Sequence, residues 1–144
     1  MSLPADRLAE DPPPYRGNPG RGTGASGHIG LGERGEEAAA RHLLSLGYLI
    51  LERRFRTRAG EIDLVARDGD TLVFVEVKAR TSLACGRPAE AVDGRKRGRI
   101  VRAASLYLAR HGGGEAPCRF DVVEVLIEPG LSPRLRLIRN AFEA

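Results

Sequence analysis

Ten residues, Thr71 to Arg80, read Thr-Leu-Val-Phe-Val-Glu-Val-Lys-Ala-Arg. Leu72 to Val77 has the near-continuous apolar character of a strand buried within a sheet. Glu76 and Lys78 are therefore out of place, because a buried charge must be paired or bound to something. A second strand-like run, Glu61 to Arg67, precedes this one, and the intervening Asp68-Gly69 is a strong hairpin signal. Side chains alternate across a strand, so Glu61 and Asp63 share a face, as do Glu76 and Lys78. With Asp68-Gly69 as the two-residue loop, Arg67 faces Asp70, Asp63 faces Phe74 and Glu61 faces Glu76. Asp63 and Glu76 are then diagonal neighbours on one face, within reach of a shared ion. A four-residue loop would put Asp63 directly opposite Glu76, and a three-residue loop would split them across the sheet. The simpler alternative, a salt-bridged edge strand with its charged face in water, fits poorly with so apolar a segment.

Two carboxylates with water suit magnesium, a hard cation that keeps several waters; manganese accepts the same oxygen donors. Such an ion polarises a phosphoryl oxygen and lowers the pKa of bound water. An ammonium beside it can orient the attacking water and offset developing charge. Of the 23 basic residues only Lys78 and Lys96 are lysine; 21 are arginine. Arginine substitutes readily for lysine on a solvated face, but not where a compact, titratable ammonium is required. That contrast singles out both lysines.

The rest of the chain frames this hairpin. Residues 1 to 28 are rich in Pro, Gly and Arg without apolar periodicity, and are expected to form a disordered tail. Glu33 to Leu46 has helical spacing, with Ala39, Leu43 and Leu46 as its stripe and Gly47 as its stop. Tyr48 to Phe55 reads as a strand and Arg56 to Gly60 as a turn. After a loop from Ser82 to Pro88, Asp93 is a candidate N-cap for a helix running to about Ala109, with Ile100, Ala103, Ala104 and Tyr107 facing the core. Phe120 to Ile127 is a further strand and Arg134 to Ile138 a short edge strand. The domain expected over residues 29–144 thus runs α-β-β-β-α-β, plus a last strand. At 144 residues the chain suits one domain.

This pattern resembles the PD-(D/E)XK nuclease superfamily, in which an acid on one strand precedes Glu-x-Lys on the next, here Asp63 and then Glu76-Val77-Lys78. It also resembles the YraN-like family of bacterial proteins. Gly32 to Glu36 matches that family's Gly-x-x-Gly-Glu, Gly60 to Asp63 its Gly-Glu-Ile-Asp, and Phe74 to Lys78 its Phe-Val-Glu-Val-Lys. Val92 to Lys96 matches Val-Asp-x-x-Lys, and Arg119 to Val123 matches Arg-Phe-Asp-Val-Val. The match spans about residues 29 to 144. Ile62 stands where the superfamily has proline. The resemblance implies a restriction-endonuclease-like αβββαβ core, with a central mixed sheet flanked by helices, akin to archaeal Holliday junction resolvases. It implies Asp63, Glu76 and the Val77 carbonyl as metal ligands, Lys78 as the catalytic lysine, and Glu36 as a helical acid completing the site. By analogy with resolvases it implies a homodimer.

The formal charge of +4 mildly favours a polyanion partner; the resemblance to resolvases implies nucleic acid, DNA ahead of RNA. Arg95, Lys96, Arg99 and Arg102 crowd the start of the second helix, where the positive end of the dipole makes cations costly and a phosphate welcome. Thr81 and Ser82, just after the lysine strand, are further candidates for phosphate contact. Asp121 is expected to give structural support. His28, His42 and His111 show no metal-binding or triad spacing. Cys85 and Cys118 form neither a disulfide scaffold nor a zinc spacing, and are read as thiols in the cytoplasm. No run of 18 apolar residues suggests a membrane span, and no secretory signal is evident. The expected activity is metal-dependent phosphodiester hydrolysis in DNA or RNA, selective for nucleic-acid structure. The alternatives are a nucleic-acid-binding module of the same fold that cleaves weakly or not at all, and a domain that docks its basic helix on an acidic protein.

Overall fold

The computed structural model describes residues 30–81, 94–111 and 116–143. The expected tail, Ser82, Cys85 and the Asp93 cap lie outside the described residues. In chain order the elements are α1 (Leu31–Ser45), β1 (Leu49–Arg56), β2 (Glu61–Asp68), β3 (Thr71–Arg80), α2 (Gly94–Arg110), β4 (Cys118–Leu126) and β5 (Arg134–Phe142). The five strands form one sheet in the order β1-β2-β3-β4-β5. The β3–β4 pair is parallel and the other three pairs are antiparallel. A parallel pair needs a long crossover, and α2 supplies it.

The apolar pattern of β3 decides where the helices lie. Leu72 and Phe74 pack with Ile100, Ala103, Ala104 and Tyr107 of α2. Val73 and Val75 pack instead with Ala39, Ala40 and Leu43 of α1. Alternate residues of a strand point to opposite faces, so the sheet is covered by α1 on one side and α2 on the other. Glu76 and Lys78 continue the parity of Phe74 and face the α2 side.

Helix α1 stops as the sequence suggests. Gly47 takes a positive φ of 90°. Its N–H bonds to the Leu44 carbonyl while the Tyr48 N–H reaches back to Leu43, the paired arrangement of a Schellman stop. Leu46 is a departure from the expected stripe: it caps the helix and is half-exposed rather than buried.

Two glycines set how closely the helices approach the sheet. A Cβ on Gly35 would stand 2.5 Å from the Cβ of Ala79 on β3. A Cβ on Gly60, just before β2, would stand 2.6 Å from the Arg99 carbonyl oxygen of α2. Neither position accepts a side chain without movement of an element. Gly35 therefore brings Glu36 close to the sheet, and Gly60 brings the first turns of α2 over the start of β2.

Candidate metal and phosphate site

The hairpin differs from expectation by one residue. Asp68 pairs with Thr71, so the two-residue loop is Gly69-Asp70 rather than Asp68-Gly69. Gly69 takes φ 59°, whereas Asp70 does not adopt positive φ; glycine at the first loop position is the signature of a type II′ turn. Arg67 therefore pairs with Leu72, not Asp70, and the register runs on to Leu64 opposite Val75. Continued by one step, it sets Asp63 directly across from Glu76 rather than Phe74, and Glu61 is no longer opposite Glu76. The partner index has moved by two, which preserves the face, so the two carboxylates still lie together.

At that step the carboxylate takes over from the backbone. Asp63 Oδ2 accepts the Val77 N–H at 2.8 Å, and no further β2–β3 pair forms. The N–H and C=O of one strand residue point to the same neighbour, so the Val77 carbonyl is directed at the same gap. Burial, followed by the charge of Glu76, pushes the Asp63 carboxyl up to about 8; the Val77 bond works against this and Glu36 adds to it. Glu76 is itself only 6% exposed.

Two ammonium groups answer these acids. Lys78 Nζ lies 3.6 Å from Glu76 Oε1, and Lys96 from α2 contacts the same oxygen more closely. Burial, reinforced by Lys96, lowers the Lys78 pKa. Burial also opposes the charge on Lys96, but its bonding to Glu76 outweighs this and raises its pKa. Glu61, Asp63, Glu76, Arg95, Lys96 and Arg99 line a cleft of about 370 Å³. Arg102 is exposed on α2 outside this lining, and Thr81 is exposed at the end of β3.

Glu36 reaches the site from the other face. It is buried at 8% exposure, and its Oε2 accepts from Arg54 Nε at 2.8 Å. Arg54 has a positive φ of 51°, uncommon for a residue other than glycine. This twist lets consecutive residues reach one helix: Arg53 holds Glu37 at 2.8 Å while Arg54 holds Glu36. The β1–β2 register places Arg54 across from Asp63, so the backbone carrying the guanidinium runs beside the carboxylate pair. Among the described residues, no three His, Cys, Asp or Glu side chains are gathered closely enough to hold a metal ion together.

Three neighbours of the site were not foreseen. The pairing of Glu36 with Arg54 has no sequence signal, since nothing in Arg-Arg predicts a positive φ. Lys96 was assigned to phosphate, and its hold on Glu76 depends on the close packing at Gly60. Glu124 of β4 stands next to Lys78 in the parallel register, and its buried Oε1 has no hydrogen-bond partner. A charge inside Val-Val-Glu-Val-Leu was the available signal for it.

Asp121 belongs to a different cluster. It is fully buried and accepts from Arg119 Nε at 2.9 Å and from the Asn140 N–H at 2.9 Å. Arg119 also donates to the Tyr48 hydroxyl at 2.6 Å and to Asp68 at 3.1 Å. Together these contacts tie the hairpin end of β2 to β4 and β5.

The architecture is an α/β fold with a mixed five-stranded sheet between helices, compatible with a restriction-endonuclease-like core. The chain belongs to the uncharacterised protein family UPF0102, the YraN-like family, whose profile matches residues 35–125. That span contains Glu36, Asp63, Glu76, Lys78 and Lys96. A UPF0102 protein of Symbiobacterium thermophilum is 58% identical over 116 residues, covering 79% of this chain and 97% of the relative. UPF0102 proteins of Geobacter sulfurreducens and Nocardia farcinica are 49% and 50% identical, each covering 78% of this chain and 88% of the relative. No helix among the described residues is long and apolar enough to cross a membrane.

Proposed function

We propose that this protein is a divalent-metal-dependent nuclease that hydrolyses phosphodiester bonds in nucleic acid, DNA ahead of RNA. The observation that carries this reading is the pairing of half-buried Asp63 with buried Glu76 on the α2 face. Two carboxylates held together in poor solvent disfavour each other's ionisation, as the raised Asp63 pKa reflects. A dication relieves that repulsion. The donors on hand, two carboxylates and the carbonyl of Val77, are hard oxygens that fit Mg²⁺ or Mn²⁺. Such an ion supplies charge stabilisation to a phosphoryl oxygen and a more acidic water. Lys78, on the same face and beside Glu76, is placed to orient water and to offset charge at the phosphorus. Arg95 and Arg99 line the cleft beside the acids and are suited to the phosphates flanking the cleaved bond. Glu36, held by Arg54, acts on the site through the field it adds at Asp63.

The alternative is a binding module of the same fold that does not cleave. Its support is the occupation of Glu36 by Arg54 and of Glu76 by Lys96. A cleavage assay separates the two. The protein is incubated with Mg²⁺ or Mn²⁺ and a panel of duplex, forked, four-way and single-stranded substrates. Cleavage is expected, and Asp63→Asn or Glu76→Gln should each reduce it by about a thousandfold or more, the several kcal/mol a catalytic metal contributes. Either variant cutting at the normal rate would overturn the nuclease reading. Binding without cutting across the whole panel would favour the module.

A further inference from the structure

We propose that Lys96 is a displaceable counter-ion: it holds the Glu76 carboxylate while no divalent cation is present, and moves onto a substrate phosphate when the cation takes that carboxylate. This rests on the nuclease reading and adds a role that reading does not contain.

The geometry sets Lys96 apart from Lys78. Both ammonium groups are directed at one oxygen, Glu76 Oε1. Lys78 sits on the same strand as Glu76, and its side chain is 20% exposed. Lys96 comes from another element, and its side chain is 38% exposed, against 7% for that of Glu76. One partner of the ion pair is thus fixed in the sheet, while the other stands at the lip of the cleft, between Arg95 and Arg99. A cation bound by Asp63 and Glu76 brings two positive charges to a place where Lys78 already stands. The charge that can leave without dismantling the sheet is that of Lys96.

Its destination follows from α2. Lys96 lies in the first turn of that helix, where the dipole repels a cation and attracts an anion. A phosphate at this turn, bridging Lys96, Arg95 and Arg99, satisfies both the ammonium and the helix end. The choice of lysine also fits. A guanidinium would grip a carboxylate with a two-pronged fork, whereas an ammonium on a flexible four-carbon stem makes a contact that can be exchanged. Lys96 is one of two lysines in a chain that otherwise uses arginine. Gly60 keeps α2 close enough for the exchange, since any side chain there would meet the Arg99 backbone.

The test is calorimetric titration of the full chain with Mn²⁺ alone, in wild type, Lys96→Gln, Lys96→Arg and Glu76→Gln. Loss of the competing ammonium should tighten Mn²⁺ binding roughly tenfold in Lys96→Gln, because the removed charge is close but partly solvated. Lys96→Arg keeps the charge and should bind Mn²⁺ no more tightly than wild type. Duplex binding supplies the second half of the test. In Ca²⁺, Lys96→Gln should lower the salt slope by about one unit, and in chelator it should leave the slope unchanged. Unchanged Mn²⁺ affinity in Lys96→Gln, or an equal slope loss with and without cation, overturns the exchange. If wild type binds Mn²⁺ and Glu76→Gln does not, that failure leaves the nuclease reading standing. Wild-type protein that binds no Mn²⁺ overturns both.

Discussion

The sheet buries carboxylates in two clusters, and they are built on opposite principles. On the α1 face of the sheet, Asp121 is enclosed by donors: Arg119, the Asn140 N–H and, at the edge of bonding range, the Tyr48 hydroxyl. A charge so fully answered stabilises the arrangement around it and has little left to bind with. On the α2 face, one register step along, Asp63 and Glu76 face each other, and the nearest cations come from flexible lysines. That cluster opens into a cleft, and its acids are held where they repel. A buried carboxylate surrounded by donors is a structural device, whereas carboxylates set against each other at a cleft prepare a place for something positive.

The sharpest way to break this contrast is to remove one carboxylate from each cluster. Asp121→Ala leaves the Asn140 N–H without its acceptor and breaks the buried pair with Arg119, which keeps only Asp68 and the Tyr48 hydroxyl; it should cost about 3–5 kcal/mol in urea unfolding, the penalty for breaking a buried ion pair. Glu76→Gln should cost markedly less, because it removes a repulsion along with its ion pairs. Equal losses would mean that both clusters are structural. A smaller effect is expected at Lys78. Lys78→Arg keeps the charge but changes its size and geometry; if the group positions water or phosphate, a displacement of about 1 Å costs on the order of a hundredfold in single-turnover rate. Rates equal to wild type would reduce Lys78 to a counter-ion for Glu76.

The smallest effect concerns pH. The Asp63 carboxyl titrates at about 8 in the fold, against an ordinary 3.8. Between those values the folded protein holds a proton that the unfolded chain has released. Stability therefore falls as pH rises from about 4 to about 8, and levels off above. Metal-free wild type should therefore be less stable at pH 8.5 than at pH 5 through this group. Asp63→Asn should remove that part of the slope, as read by denaturant titrations in chelator. A slope unchanged by the substitution would mean that Asp63 is ionised in the resting fold.

Much of this arrangement was legible because it depends on alternation. The strand limits of β3, the helix stop at Gly47 and the shared face of Asp63 and Glu76 all follow from local pattern. Reading the loop as Asp68-Gly69 instead of Gly69-Asp70 gave the wrong opposite neighbour for Asp63 but the right face, since side-chain direction repeats every two residues. What local pattern does not encode is distance between elements. Lys96 reaches Glu76 only because Gly60 has no side chain, and Arg54 reaches Glu36 only through an uncommon backbone angle. Glu124 became a neighbour of Lys78 only through the parallel register that α2 imposes.

The bond from the Val77 N–H to the Asp63 carboxylate gives this fold a built-in reporter. Where β2 and β3 part, the hydrogen that would join a ladder is held by a side chain whose charge changes with its occupancy. The nitrogen and proton resonances of that one amide should therefore shift when a cation or a proton arrives at Asp63, whether or not any substrate is cut. Its exchange with solvent deuterium should slow when the carboxylate is fixed and quicken when it swings away. Occupancy of the site can thus be followed at a single backbone position, independently of turnover.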